Sequence, residues 1–277
     1  MFEIFLQFDW NRALVGSTLA VGIVVVGWRL GLLAPSGAVA AALLGGLTYV
    51  TGGLPAAILL VAFFVTSSLL TRLFTRSKKA LAKTFSKGGR RDWAQVLANG
   101  GPALLMLAVG ALDWLPTHIA WASFAAALAT VNADTWATEL GVLSPGQPQL
   151  ITTSKRVPRG TSGAVSLAGS IAAAAGALLI ALLGGVLGVA FLTPGFILAV
   201  TVAGLLGSYF DSVLGATVQA IYYCPHCKKE TEQHPQHSCG KRTTLRRGWA
   251  WLDNDWVNFL SALFGVLVAL AAARFLL

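Results

Sequence analysis

Long apolar stretches alternate with short polar segments along most of the chain. A bilayer core about 30 Å thick needs about 20 helical residues to cross it, and most of these stretches are near that length. The pattern predicts an all-α membrane protein, a bundle of about eight transmembrane helices. The predicted spans lie near 13–33, 36–50, 54–72, 93–112, 117–141, 162–190, 196–220 and 256–276.

Two of these spans depart from the common length. The stretch 36–50 is short for a crossing, so it is either a span or a re-entrant segment. The stretch 162–190 is long and rich in glycine, which favours a tilt or a break. All spans are assigned to one membrane domain, 1–277, in which 221–255 form a small polar insertion.

The composition excludes a soluble globular protein. Hydrophobic residues make up 56% of the chain and charged residues 11%, whereas soluble domains carry roughly a quarter charged residues. A bilayer removes the need for a charged surface. The 30 glycines fit this interpretation, because small residues allow helices to approach closely in lipid.

The formal net charge of +9 is concentrated in three loops. Loop A covers 72–91, loop B holds Lys155, Arg156 and Arg159, and loop C covers 228–247. Two predicted spans separate each basic loop from the next, so all three fall on one side of the membrane. The positive-inside rule makes that side the cytoplasm, which predicts a multi-pass cell-membrane protein with both termini outside. If 36–50 is re-entrant, the N-terminus lies inside instead. Membrane topology explains this charge, and nucleic-acid binding is not expected.

Ionisable residues inside a membrane are costly and mark function. The polar candidates within the predicted spans are Asn99, Asn132, Asp134, Glu139 and Asp211. The start of the last span adds Asp253, Asn254 and Asp255. Isolated Ser, Thr and Gln residues in the spans are more simply explained as contacts between helices.

The depth of these residues favours an enzyme over a transporter. Asn99, Asp134 and Asp211 each lie about seven to ten residues from the basic-loop end of their spans, which is about 10–15 Å deep. A transporter would more naturally place such residues at the midplane. Carboxylates beneath a cationic rim can bind phosphate through Mg²⁺, which prefers one or two carboxylates together with phosphate oxygens. The predicted catalytic residues are Asp134, Glu139, Lys155 and Asp211.

Loop B suits a phosphate site. Its cations Lys155, Arg156 and Arg159 precede Gly160, Thr161, Ser162 and Gly163, which open the predicted span 162–190. Backbone amides at a glycine-rich helix N-terminus bind phosphate. The sequence has no Walker A motif, so a P-loop enzyme is not expected.

Several sequence blocks resemble one known family. The blocks GGRRDWAQVLANGG, ADTWATELGVLS, LITTSKRVPRGTSGAVSLAG, GSYFDSVLGA and WLDNDWVN are similar to the family of transmembrane protein 19 and the plant phytyl-phosphate kinase. The resemblance covers most of the chain after about residue 30. More distantly, Asp134, Ala137 and Gly141 match a D-x-x-A-x-x-x-G pattern of CTP-dependent polyprenol kinases and CDP-diacylglycerol synthases. The K-T-x-E-G-x-x-G pattern that follows in those enzymes is matched only loosely.

The resemblance implies transfer of a phosphoryl group from CTP, or another nucleoside triphosphate, to an isoprenyl monophosphate. Phytyl, geranylgeranyl and farnesyl phosphates are the candidate substrates. The resemblance also implies Mg²⁺ at Asp134 and Asp211 and phosphate contacts from Lys155, Arg156 and Arg159. The remaining candidates for cofactor binding are Arg90, Arg91, Asn99, Asn132, Gly160, Thr161, Ser162, Gly163, Asp253, Asn254 and Asp255.

The polar insertion contains all three cysteines of the chain. An odd number in one loop does not form a disulfide framework. The predicted ligands of a structural zinc ion are Cys224, Cys227, His237 and Cys239. His226 and His234 are competing ligands, and a reduced, solvated loop is the alternative.

Two other functions stay open at this point. A cytidylyltransferase would make a CDP-lipid and release pyrophosphate. A transporter or lipid scramblase would move its substrate without nucleotide turnover.

Overall fold

The computed structural model describes residues 10–74, 90–188 and 192–276. Over these residues the chain forms seven helices: α1 (Trp10–Arg29), α2 (Pro35–Phe74), α3 (Trp93–Ala111), α4 (Thr117–Gly141), α5 (Leu167–Leu187), α6 (Pro194–Thr217) and α7 (Asn254–Leu276). Five short strands lie between them: β1 (Gln149–Leu150), β2 (Ala164–Val165), β3 (Ile221–Cys224), β4 (Lys229–Thr231) and β5 (Thr244–Arg247). The prediction of a mostly helical protein is confirmed. Most of loop A, at 75–89, lies outside the described residues.

Helix α4 occupies the centre of the bundle. Every residue from Ala120 to Ala133 is buried, and α4 packs against α2, α3, α5, α6 and α7. Small side chains allow this close packing. At Gly204 of α6, for example, a Cβ would lie only 2.8 Å from that of Ala129. Because other helices enclose α4, it carries polar residues that are shielded from lipid.

Helix α2 bends at Gly53. This residue has φ 70° and ψ −166°, a conformation outside the helical region that glycine adopts readily. Pro55 follows two residues later and cannot donate a backbone hydrogen bond to the preceding turn. The bend falls between the predicted spans 36–50 and 54–72, which form the two halves of this one helix.

The two halves of α2 run in opposite directions. Before the bend, Gly37 packs against the start of α3 and Gly52 against Leu107 near its end. After the bend, Thr71 reaches Glu139 at the end of α4. Since α3 and α4 are antiparallel, the chain reverses at the bend, as expected if each half is a separate span.

Five of the helices are long and apolar enough to cross a membrane: α2, α3, α5, α6 and α7. Within α1 the apolar part, Leu14–Arg29, is shorter. The central helix α4 is not among the five, because its second half contains Asn, Thr, Asp and Glu residues. A multi-pass membrane protein is therefore supported, while eight crossings stay a prediction.

Both small β-structures lie at the same end of the bundle. Strands β1 and β2 form an antiparallel hairpin between α4 and α5, with Gln149 paired to Val165 and Leu150 to Ala164. Strands β3, β4 and β5 form an antiparallel sheet in the order β4-β3-β5 between α6 and α7. Loops B and C thus meet where loop A leaves α2 and enters α3.

We expect this end of the bundle to face the cytoplasm. Cysteines introduced at the exposed positions Ser154 and Ser238 should resist an impermeant maleimide added to intact cells. A cysteine at the exposed Asp113, at the opposite end, should react. The unsubstituted protein is the matched control, because its own cysteines lie at the protected end. Reaction at Ser154 or Ser238 from outside would contradict the topology. A third position in loop A, Ser86, lies outside the described residues.

Candidate functional site

A cavity of about 540 Å³ opens at the loop-bearing end of the bundle. Its walls are the ends of α2, α4 and α6, the starts of α3, α5 and α7, the β1–β2 hairpin and the insertion between α6 and α7. The predicted site residues that line it are Arg91, Asn99, Asp134, Glu139, Arg159, Gly160, Thr161, Ser162, Gly163, Asp211 and Asn254. The fold therefore gathers residues from distant parts of the sequence into one cavity.

Four carboxylates line this cavity. They are Asp134 and Glu139 of α4, Asp211 of α6 and Glu232 of the insertion. The whole chain has only 11 acidic residues, so more than a third of them meet here. Carboxylates held close together in a partly buried site repel one another unless a cation joins them. Their arrangement therefore favours cation binding.

The Asp211 carboxylate is repelled by two of the other carboxylates. Its Oδ2 accepts a hydrogen bond of 3.1 Å from Ser261 Oγ of α7. Its charge interacts unfavourably with the charges of Asp134 and Glu232, which come from two other segments of the chain. A divalent cation among these three carboxylates would relieve the repulsion.

Glu139 and Arg91 form an electrostatic pair at the edge of the cavity. Glu139 is 6% exposed, and its Oε1 accepts a hydrogen bond of 2.9 Å from Thr71 Oγ1. The Arg91 guanidinium carbon lies 5.3 Å from the ring centroid of Phe63 and 5.5 Å from that of Phe64. Such cation–π contacts add to the attraction of Glu139. Arg91 is therefore held in place as a fixed positive charge.

The β1–β2 hairpin brings the glycine-rich segment to the cavity. Gly160 and Gly163 have φ of 82° and 78°, which residues with a side chain rarely adopt. A Cβ at Gly163 would also collide with the backbone of α6. The segment does not open a helix: α5 begins at Leu167, and the side chain of Ser166 caps it. The predicted start of span 162–190 is wrong, because the residues before Ser166 pair in the hairpin instead.

Some predicted site residues are not among those that line the cavity: Arg90, Asn132, Lys155, Arg156, Asp253 and Asp255. Asn132 is fully buried. Its Nδ2 donates a hydrogen bond of 2.8 Å to Gly176 O, and its Oδ1 accepts from Thr66 and Ser67. These bonds join α4 to α5 and α2, so Asn132 contributes to helix packing.

The other five residues lie on the periphery or at a helix start. Lys155 and Arg156 are exposed on the hairpin. Arg90 donates to a backbone carbonyl just before α2 at 3.3 Å. Asp253 is exposed and caps α7, since its Oδ1 accepts from the backbone N–H of Asp255 at 3.0 Å. Asp255 itself is 9% exposed, in the first turn of α7. A contact between any of these and a nucleotide remains a prediction.

The insertion contributes to the cavity, which the sequence did not indicate. Ser162 Oγ donates to Gln219 Oε1 at 2.6 Å, and Gln219 Nε2 donates to Glu232 Oε1 at 3.1 Å. Arg247 donates two hydrogen bonds of 3.0 Å to Gly215 O, which ties the insertion to α6. Glu232 could not be identified from its segment, KKETEQHPQ, because that segment is uniformly polar. Only the fold reveals which side chain faces the cavity.

A cluster that could bind a metal ion lies within the insertion. One potential ligand atom from each of Cys224, Cys227, His237 and Cys239 lies within 4.8 Å of the others. The Sγ atoms of Cys224 and Cys239 are 3.6 Å apart, and His237 Nδ1 lies 3.2 Å from Cys239 Sγ. Ligands about 2.0–2.3 Å from a tetrahedral zinc ion stand roughly 3.3–3.8 Å from one another. These two separations are close to that range, so the cluster could hold a metal ion.

The two competing histidines lie beside this cluster. His234 stacks on Tyr222, with ring centroids 4.3 Å apart. His226 Nδ1 is 3.9 Å from one cluster sulfur. The pKa of Cys239 is lowered to about 6, chiefly by its hydrogen bond with His237. A lowered pKa favours the thiolate, which is the form of cysteine that binds metal.

The chain thus carries two donor sets of different chemistry. The carboxylate oxygens of the cavity are hard ligands of the kind that Mg²⁺ prefers. The thiols and imidazole of the insertion are the ligands of structural zinc sites. The Cys/His cluster could bind a metal ion, while the identity of the metal at either place stays a prediction.

Comparison with known proteins supplies relatives from plants and cyanobacteria. Protein PGR of Arabidopsis thaliana is 35% identical over 241 residues, which cover 77% of this chain and 80% of the relative. Protein VTE6, chloroplastic, of the same plant is 28% identical over 275 residues, which cover 97% of this chain and 73% of the relative. An uncharacterized membrane protein of Synechocystis is 28% identical over 267 residues, or 96% of this chain and 92% of the relative. No solved structure matches the chain.

A family model described as integral membrane protein DUF92 matches residues 18–266. This match covers most of the chain and includes every sequence block on which the family resemblance was based. The predicted resemblance is confirmed, and the chain belongs to the DUF92 family of integral membrane proteins.

Proposed function

We propose that this protein is a membrane-embedded phosphotransferase. It moves the γ-phosphoryl group of a nucleoside triphosphate, with CTP as the first candidate, onto an isoprenyl monophosphate. The observation that carries the proposal is one cavity in which four carboxylates, two arginines and a glycine-rich hairpin meet. Metal ligands, cations and backbone amides are the groups that phosphoryl transfer requires. Similarity to protein VTE6 supports membership of a family that includes a phytyl-phosphate kinase.

Asp134 and Asp211 are the proposed Mg²⁺ ligands. They come from two different helices, and their negative charges repel each other. Bound Mg²⁺ would offset the negative charge of the transferring phosphoryl group. Glu232 would add a third negative charge from the insertion. Ser261 holds the Asp211 carboxylate from the far side by its hydrogen bond.

Arg91 and Arg159 are the proposed phosphate contacts. Both line the cavity, one before α3 and one in the hairpin. Arginine matches phosphate well because its planar fork can donate two hydrogen bonds at once. The glycines at 160 and 163 have no side chain that would keep a phosphate away from the backbone. The hairpin would thus hold the triphosphate next to the carboxylates, and Arg91 would contact the phosphate of the acceptor.

The acceptor does not need a general base from the protein. A phosphate monoester has a second pKa near 6, so its attacking oxygen is already ionised at neutral pH. In the transfer, the bond between the γ-phosphorus and its bridging oxygen breaks and a new bond forms to the acceptor oxygen. The nucleoside diphosphate leaves. We therefore assign Glu139 to positioning Arg91, with Thr71 holding the carboxylate in turn.

We further propose that the cysteine cluster holds one structural zinc ion. A small polar insertion cannot bury enough apolar surface to fold well alone, and a metal ion compensates for that. Through the bond from Gln219 to Glu232, the insertion also forms one wall of the cavity. The zinc ion would in this way stabilise part of the active site without taking part in the reaction.

Turnover by the purified protein tests the proposal. In nanodiscs with CTP, Mg²⁺ and geranylgeranyl monophosphate, we expect geranylgeranyl diphosphate and CDP in equal amounts. Removal of Mg²⁺ with a chelator should stop the reaction. If no prenyl diphosphate forms from phytyl, farnesyl or geranylgeranyl monophosphate with CTP, ATP, GTP or UTP, the proposal is contradicted.

The two cationic positions of the hairpin should differ in effect. Both side chains are exposed, but Arg159 lines the cavity and Lys155 does not. Arg159→Ala should therefore raise the KM for the nucleotide by about tenfold or more, the scale of one lost charge-assisted hydrogen bond. Lys155→Ala should weaken nucleotide use less and leave prenyl-phosphate binding intact. A larger effect at Lys155 would show that the hairpin rearranges when the nucleotide binds.

A further inference from the structure

A second cavity of about 310 Å³ lies beside the first and is lined almost entirely by apolar side chains. Helix α1, both halves of α2 and the start of α3 form its walls. We refer to it as the apolar groove. Its rim includes Leu19, Ile23 and Ile58, which are 47%, 42% and 44% exposed. In a membrane bundle such exposed apolar residues face lipid, so the groove can be entered from the bilayer.

The apolar groove and the acidic cavity share two lining residues, Arg91 and Asn99. The Arg91 guanidinium lies against Phe63 and Phe64 of the groove. It also interacts with Glu139 of the acidic cavity. The two spaces therefore adjoin at a cationic side chain.

The backbone of Arg91 is fixed at this junction. Its N–H donates to Leu32 O and its carbonyl accepts from Ala34 N, both at 2.9 Å. Gly37 of α2 packs against the same carbonyl so closely that a Cβ there would collide with it. The cation is thus held at the boundary by the fold.

The chemistry of this junction fits an amphiphile with one phosphate and one hydrocarbon chain. A phosphate at Arg91 would lie next to the acidic cavity, while an attached chain would extend into the groove and leave water. A diacyl phospholipid brings two chains and a bulkier headgroup, which match a single narrow groove less well.

We propose that the apolar groove holds the hydrocarbon chain of the isoprenyl monophosphate, with its phosphate at Arg91. The assignment rests on the proposed function for the identity of the lipid. It goes further in naming where the chain binds and from which side it enters. Substrate would move from the bilayer between α1 and α2, and the nucleotide would enter from the aqueous end.

A glycine in the groove allows a direct test. At Gly45 an added Cβ meets only the Cβ of Ala20, at 3.5 Å, so a side chain can be added there without a clash at its base. Gly45→Phe should fill the groove. Gly22→Phe is the matched control, because Gly22 is exposed on α1 and has nothing within 4 Å of its Cβ position. Ala41→Leu, at another position in the groove, is the milder second variant.

Binding is measured without nucleotide, using radiolabelled geranylgeranyl monophosphate in phosphatidylcholine nanodiscs. We expect Gly45→Phe to weaken binding at least about tenfold, the effect of losing the burial of about two methylene groups. Ala41→Leu should weaken it less, and Gly22→Phe should leave it unchanged. The thermal transition should be the same in all variants, which reports on folding.

The possible results separate this inference from the proposed function. Groove-dependent binding without any diphosphate product would support the groove and refute the phosphotransferase. Product formation and binding unaffected by Gly45→Phe and Ala41→Leu would refute the groove and leave the phosphotransferase standing.

Discussion

Asp134→Asn should abolish phosphoryl transfer while the helix bundle still folds. The amide keeps the size of the carboxylate but loses a charge on the proposed Mg²⁺. Lost electrostatic stabilisation of this kind typically lowers the rate by about 100-fold or more. Asp134 and Asp211 repel each other when no cation is bound. In the presence of a chelator, Asp134→Asn should therefore melt at the same temperature as the unsubstituted protein or higher. The measurements are kcat with saturating CTP and the thermal transition with and without Mg²⁺.

The matched control is Asp113→Asn, which makes the same chemical change at an exposed position at the opposite end of the bundle. Its turnover and its response to Mg²⁺ should equal those of the unsubstituted protein. Near-full turnover by Asp134→Asn would show that the metal centre is assigned to the wrong residues. Loss of turnover together with a large drop in melting temperature would instead indicate a packing role for Asp134.

Cys224→Ser should remove the zinc ion and unfold the insertion. Cys224 is fully buried, and its Sγ is 3.6 Å from that of Cys239. Serine is a poor ligand for zinc, so we expect zinc to fall from about one ion per chain to near zero. Loss of a structural metal ranks among the most destabilising single changes, at more than about 3 kcal/mol. Turnover should fall as well, because the insertion holds Glu232 in the cavity wall. Elemental analysis and thermal melting measure the first two effects.

Two variants separate the zinc ion from the chemistry it supports. His226→Ala changes a histidine next to a ligand and should keep both the zinc ion and the stability. Glu232→Gln should keep the zinc ion but lower turnover. A well-folded protein purified without zinc, with an unchanged melting temperature in Cys224→Ser, would refute the structural metal.

The sequence predicted the helices well because the bilayer imposes a simple rule. Each span must be apolar and about 20 residues long, and α3 (Trp93–Ala111) ends within one residue of the predicted span 93–112. The start of α5 was placed too early because its first residues are small and equally common in helices and turns. Only strand pairing and the Ser166 cap separate the hairpin from the helix.

The sequence could identify cavity residues where a side chain's charge and its depth within a predicted span were enough to single it out. Asp134 and Asp211 were identified as carboxylates at similar depth, and both line the cavity. Asn132 was also named as a polar candidate within a predicted span, but it lies among helix contacts. Its neighbours Thr66 and Ser67 belong to another helix, so the sequence could not reveal that its polar atoms are already bonded.

It was harder to predict from the sequence which loop residues line the cavity. Lys155 and Arg156 are close to Arg159 in sequence and all three side chains are exposed, but only Arg159 lines the cavity. Glu232 reaches the cavity through a chain of hydrogen bonds from Ser162 and Gln219. Such contacts depend on how an insertion docks on a bundle, and periodicity carries no information about that.

The most direct test follows the phosphorus atoms of CTP. Purified protein in nanodiscs receives Mg²⁺, geranylgeranyl monophosphate and CTP labelled at either the α- or the γ-phosphate, and the lipid is then extracted. We predict that the γ-label enters the lipid as geranylgeranyl diphosphate while the α-label stays in water as CDP. Entry of the α-label with release of pyrophosphate would make the protein a cytidylyltransferase. If neither label enters the lipid, while active protein still binds or moves the prenyl phosphate, the phosphotransferase account is contradicted.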